Sequence, residues 1–76
     1  MKFDEIINRD PEILGGTPVF AGTRVPVQTL VDYLIGGESL DDFLEGFPSV
    51  SREQVKAFLE MAFSAVLAGE KDARAA

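Results

Sequence analysis

Gly15-Gly16-Thr17-Pro18-Val19-Phe20-Ala21-Gly22-Thr23-Arg24-Val25-Pro26 is the stretch whose reading decides the fold. Its glycines and prolines bracket two short β-favouring runs. Val19-Phe20 leads into Ala21-Gly22, and Thr23-Arg24-Val25 leads out. A glycine at the second central position of a turn accepts the positive φ that a tight reversal requires. Residues 17–25 therefore read as a small β-hairpin, or as a tight loop with paired ends. Pro26 fixes φ near the helical value and lacks an N–H that a first helical turn leaves unbonded anyway. Gly16, Pro18, Gly22, Thr23, Arg24 and Pro26 together form one structural motif that closes an extended element and starts a helix.

Beyond Pro26 the periodicity is helical. Val27, Leu30, Val31 and Leu34 fall at i, i+3, i+4 and i+7, giving a first helix over 26–35 that Gly36-Gly37 stops. Ser39 caps a second helix over 40–46, with Asp42 completing a box and Asp41-Asp42 favoured by the helix dipole. Leu40, Phe43, Leu44 and Phe47 are its buried side, and Gly46 and Pro48 end it. The third helix, over 52–68, has the strongest start signal. Ser51 and Gln54 make a capping box, and Val50 and Val55 a hydrophobic staple. Val55, Phe58, Leu59, Ala62, Phe63 and Val66 mark its core stripe, and Gly69 is the expected stop. Upstream, Asp10-Pro11 marks a turn and Glu12-Ile13-Leu14 a helical turn closed by Gly15, with Ile6-Ile7 a short strand beside the hairpin. The expected architecture is mainly α: one domain over 1–69, a three-helix helix-turn-helix bundle with a short N-terminal β-hairpin. Residues 70–76 read as a polar, flexible tail.

Seventy-six residues bury a smaller fraction of their surface than a large domain does, and the chain has no cysteine or histidine to supply a disulfide or metal staple. A homodimer is therefore expected. Short hairpin strands are marginal alone, and their open edge invites pairing. The net charge of −6 opposes tight, free-standing nucleic-acid binding without excluding a local basic patch. No apolar run approaches a membrane span and the start lacks a signal-peptide core, so a cytoplasmic protein is expected.

Catalysis has little to work with: neither His nor Cys is present as base or nucleophile, so no enzyme and no cofactor are expected. Asp41 with Asp42, or Glu38 with Asp42, reads better as a solvated helix start than as a metal site, and no metal is expected. Gly15-Gly16-Thr17 lacks the lysine of a phosphate loop and reads as turn chemistry. The second and third helices, joined by Phe47-Pro48-Ser49-Val50-Ser51, outline a helix-turn-helix. The residues expected at a DNA surface are Ser51, Arg52, Gln54 and Lys56, with Arg52 suited to guanine and Gln54 to adenine edges. A plain three-helix core with ordinary surface charges accounts for the same residues. Ala57 and Met61, opposite the Val55 stripe, suit contact with a partner helix, although alanine is also simply a good helix former. Arg24 is expected to bond Asp10 or Asp32 and lock the hairpin, with a backbone phosphate as its alternative partner.

Asp10-Pro11-Glu12-Ile13-Leu14-Gly15-Gly16-Thr17-Pro18-Val19-Phe20-Ala21-Gly22-Thr23-Arg24-Val25-Pro26-Val27, continued by Gly37, Ser39, Leu40, Phe47-Pro48 and Val55 to Ala62, resembles domain-of-unknown-function family 433, often described as VapB-like antitoxins. The resemblance covers about residues 3–63. It implies a homeodomain-like three-helix bundle with an added hairpin. It also implies a type II toxin–antitoxin role beside a PIN-like ribonuclease toxin, with operator DNA bound by the complex. In such a pair Lys71 or Arg74 would reach the toxin's carboxylate-built metal site as a charge-assisted plug. A dimer would set two copies of the last helix on half-sites roughly 34–36 Å apart. The rival reading is a protein-interaction adaptor that touches no DNA.

Overall fold

The reversal after Phe20 forms, but its ladder partner comes from upstream. The computed structural model describes residues 1–75, with side chains described through Gly69. One helical turn, α1 (Phe3–Ile6), runs straight into strand β1 (Ile7–Asn8). Strand β2 (Val19–Phe20) pairs antiparallel with β1, Ile7 opposite Phe20 and Asn8 opposite Val19. The returning arm Thr23–Pro26 makes no strand. It contributes one bridge, Val19 to Pro26, flanked by bonds from the Phe20 N–H to the Val25 carbonyl (3.0 Å) and from the Val27 N–H to the Pro18 carbonyl (3.0 Å). Both edges of β2 are thus occupied within the chain, and the open edge of the pair is that of β1.

The turn itself is held by Thr23. Its hydroxyl donates to the Phe20 carbonyl (2.8 Å) and accepts from the Val25 N–H (3.0 Å), while Gly22 takes φ +78°. Between the strands, the Asp10 carboxylate accepts from the Glu12 N–H (2.9 Å), the turn that Asp-Pro predicts. The helical turn expected over Glu12–Leu14 lies two residues later, as a 3-10 turn at Leu14–Gly16. Leu14, Gly15 and Gly16 all have positive φ, and the Thr17 hydroxyl donates to the Leu14 carbonyl (2.9 Å) to hold that crank.

Helix α2 (Val27–Ile35) starts one residue after the proline, which serves as its N-cap. It ends in a Schellman motif. The Glu38 N–H reaches the Tyr33 carbonyl (2.9 Å), the Gly37 N–H reaches Leu34 (3.2 Å), and Gly37 supplies φ +89°. Helix α3 (Leu40–Gly46) has the predicted box: the Asp42 N–H donates to the Ser39 hydroxyl (3.0 Å) and the Ser39 N–H to the Asp42 carboxylate (3.2 Å). Helix α4 (Arg52–Ala75) follows five residues later and runs through Gly69, where a stop was expected. That glycine has neither a left-handed φ nor a proline after it, so backbone hydrogen bonding continues past it.

Phe20 is the hub of the core. Its ring lies 6.1 Å from Phe43 and 6.0 Å from Phe58, and Phe43 continues the aromatic run to Tyr33 (5.6 Å) and Phe47 (5.1 Å). Ile6, Ile7, Val27, Leu30, Val50 and Val55 close around it. Val50 and Val55 are both buried in that cluster, as a staple before α4 requires. The result is a mainly helical chain on which a two-stranded antiparallel pair is laid.

The α3 box makes a pH prediction. The Ser39 N–H, then its hydroxyl, holds the Asp42 carboxyl below its ordinary 3.8. A carboxyl depressed in this way stabilises the fold fully above its unfolded value and loses that contribution as pH falls through the folded one. Asp42→Asn should therefore be less stable than wild type in urea at neutral pH, and the gap should close as pH drops below 3.8.

Candidate functional site

Ser51 caps α4 by accepting from the Gln54 N–H (3.1 Å), and the Gln54 carbonyl oxygen accepts from the Ser51 N–H (3.1 Å). The other end of the same amide crosses the molecule. Its NH₂ donates to the backbone carbonyls of Ala21 (2.9 Å) and Glu5 (3.2 Å), and the residue is only 8% exposed. This corrects the expectation that Gln54 reads adenine. Both halves of its amide are used inside the protein, tying the start of α4 to α1 and to the Ala21-Gly22 turn.

The burial of Gln54 has a consequence for the whole helix. Residues 54, 55, 57, 58, 61 and 62 form the inward arc, turned roughly a quarter turn from the predicted stripe. Ala57 and Met61, expected to be free for a partner, are half-buried and pack against the core. Leu59, Phe63 and Val66, expected inside, are exposed together with Leu67. The pattern misleads because α4 outruns its body. Only its first half has other elements to pack on, so apolar spacing further along no longer means core. Lys71 and Arg74 lie beyond the residues whose side chains are described.

What remains outward at the helix start is Ser51, Arg52, Glu53 and Lys56. The Arg52 guanidinium pairs with the Asp41 carboxylate in the first turn of α3, and both side chains are exposed. An exposed pair of this kind contributes about 0–1 kcal/mol and opens readily to a competing phosphate. Arg24 makes no bond to Asp10 or Asp32, and the lock assigned to it is made by the Thr23 hydroxyl instead. It stands exposed on a hollow of about 500 Å³ that Asn8, Ile13, Thr23 and Ser49 also line, beside the turn that leads into α4. Composition alone could not have placed it there. The signal was the Thr23 side chain already satisfying the turn.

Two other hollows contrast in chemistry. One, about 680 Å³, carries Asp32, Glu38, Asp42 and Glu45. Among the described residues no three such groups gather closely enough to hold a metal ion. The other, about 510 Å³, is largely apolar, lined by Phe3, Ile7, Pro18, Val27, Val31 and Phe58 with Arg9 at its edge. Among the described residues no helix is long and apolar enough to cross a membrane.

Residues 7–62 match the family described as Protein of unknown function (DUF433). The chain belongs to that family. The match takes in β1, the crank, the Thr23 turn and Gln54, and so most of the assembly around Phe20; Glu5 and Ile6 lie just before it. The uncharacterized protein y4eO of Sinorhizobium fredii (strain NBRC 101917 / NGR234) is 44% identical over 52 residues, which are 68% of this chain and 24% of the relative. This DUF433 chain thus spans about a quarter of that relative's length. No solved structure matches it.

The Gln54 tie is testable by two substitutions. Gln54→Ala leaves two carbonyl oxygens without their donor and should cost about 2 kcal/mol in urea unfolding. Gln54→Glu replaces that donor with a carboxylate facing the same oxygens. Its folded pKa rises above the unfolded one, so this variant should be most stable in acid and weaken as pH rises through the folded value.

Proposed function

We propose that this DUF433 chain is the antitoxin of a type II toxin–antitoxin pair. It binds operator DNA through the helix-turn-helix of α3 and α4, and it neutralises a PIN-like ribonuclease in the cytoplasm. The observation that carries the DNA half is the pinned start of α4. Gln54 fixes that turn from inside and leaves Arg52 and Lys56 facing outward, with Arg24 beside the preceding turn. A rigid element presenting basic groups in a set pose is what phosphate and base-edge contacts need. The hollow of Asp32, Glu38, Asp42 and Glu45 repels phosphate, so a duplex meets Arg24, Arg52 and Lys56 in preference to it.

The toxin half rests on Lys71 and Arg74 and on the chemistry of a carboxylate-built metal site, which a cation fits as a charge-assisted plug. The rival is an adaptor that binds protein alone. The apolar hollow at Phe3 and Phe58 favours it, since such a surface suits a side chain better than a phosphate.

Binding to the DNA upstream of the gene, read by fluorescence anisotropy, separates the two readings. Arg52→Ala with Lys56→Ala should weaken binding about tenfold or more and lower the salt slope by about 2. An affinity indifferent to salt and to both substitutions favours the adaptor. On the toxin side, Arg74→Ala should lose ribonuclease inhibition, and full inhibition by that variant removes the plug.

A further inference from the structure

Leu59, Phe63 and Val66 recur at intervals of four and three, the spacing of a two-helix seam, and Leu67 widens the stripe. Phe63 is 63% exposed and Val66 61%, far more than a core stripe permits. The chain exposes 5299 Å², whereas a compact monomer of its 8.2 kDa exposes about 4,500 Å² by size scaling. Its radius of gyration, 13.6 Å, likewise exceeds the ~11 Å of a compact chain this long. That surplus is a property of the whole chain, and the stripe supplies part of it.

Charge selects the occupant. The chain carries −6, so two copies repel over most of their surfaces. Residues 61–69, Met-Ala-Phe-Ser-Ala-Val-Leu-Ala-Gly, contain no charged side chain, and Lys56 and Glu60 before them cancel. This is the part of the surface where two acidic chains meet without repulsion. A partner chosen for opposite charge would instead seek the carboxylate faces. Both edges of β2 are taken, and the outer strand β1 is only two residues long, a short edge on which to build a second contact.

We infer that the exposed stripe Leu59-Phe63-Val66-Leu67 of α4 is covered by the same stripe of a second copy. The pairing is two-fold and helix against helix. A two-fold contact requires a patch complementary to itself, and an uncharged apolar seam meets that requirement in a way a charged one does not. Phe63, Val66 and Leu67 lie beyond the residues matched to the family, and Leu59 lies within them. The contact stands independently of the DNA and toxin readings.

Sedimentation equilibrium of the full chain tests it. At roughly 100 µM the wild type should show twice the 8.2 kDa chain mass. Phe63→Glu should sediment as a monomer with unchanged helical circular dichroism. Ile35→Glu, at an apolar residue on α2 that is 80% exposed, should leave the dimer intact. Because the chain has no cysteine, Val66→Cys provides a second readout: mild oxidation should link two copies, and Ile35→Cys should link far fewer. A monomeric wild type at that concentration, or a Phe63→Glu protein that stays dimeric, overturns the inference. In the first case the stripe belongs to a foreign protein.

Discussion

A single buried side-chain amide holds this molecule to one arrangement. Helix α4 could slide or roll over an aromatic core at modest cost, because apolar contact is non-directional. The Gln54 amide removes that freedom. It reads the backbone on two separate elements and at the same time closes the helix's own cap. Those four groups satisfy one another in the same place, which is why a polar residue belongs in a core otherwise made of Ile, Val, Leu and Phe. The roll angle of α4 then follows, and with it the choice of which side chains meet water.

That choice explains how much of the fold could be read from residues alone. Apart from the stop expected at Gly69, caps and stops were legible because they are local: Ser39 with Asp42, Ser51 with Gln54, and Gly36-Gly37 each decide their geometry within a few residues. The extended segment at Val19-Phe20 was legible for the same reason. Its partner strand was legible to within one residue: Ile6-Ile7 was the expected strand, and Ile7-Asn8 is the one that pairs, with Ile6 left as the last residue of α1. The face of α4 was misread. Periodicity reports an apolar stripe but not what lies opposite it, and a long-range hydrogen bond set the rotation.

The candidate site was legible in part. Arg52 and Lys56 stand outward as the spacing suggests, and their role on DNA stays a proposal. Gln54 looked like a reader of bases because its chemistry suits them, yet the same donor–acceptor pair suits backbone carbonyls equally well. A capping box fixes half of that amide in advance, a constraint visible in the sequence that weighs against a second use in the groove. Arg24 shows the converse. Its neighbours Thr23 and Gly22 complete the turn without it, which leaves its charge available at the surface.

The Gln54–Glu5 bond joins residues 49 positions apart in a chain of 76. Closing so long a loop is entropically costly before any contact repays it, so this join forms late. During synthesis the first strand and the Thr23 turn emerge long before the helix that will pin them. A nascent chain ending short of that helix holds Phe20, Ile6 and Ile7 without their cover. The core around Phe20 therefore closes only after residues 52–58 have been made.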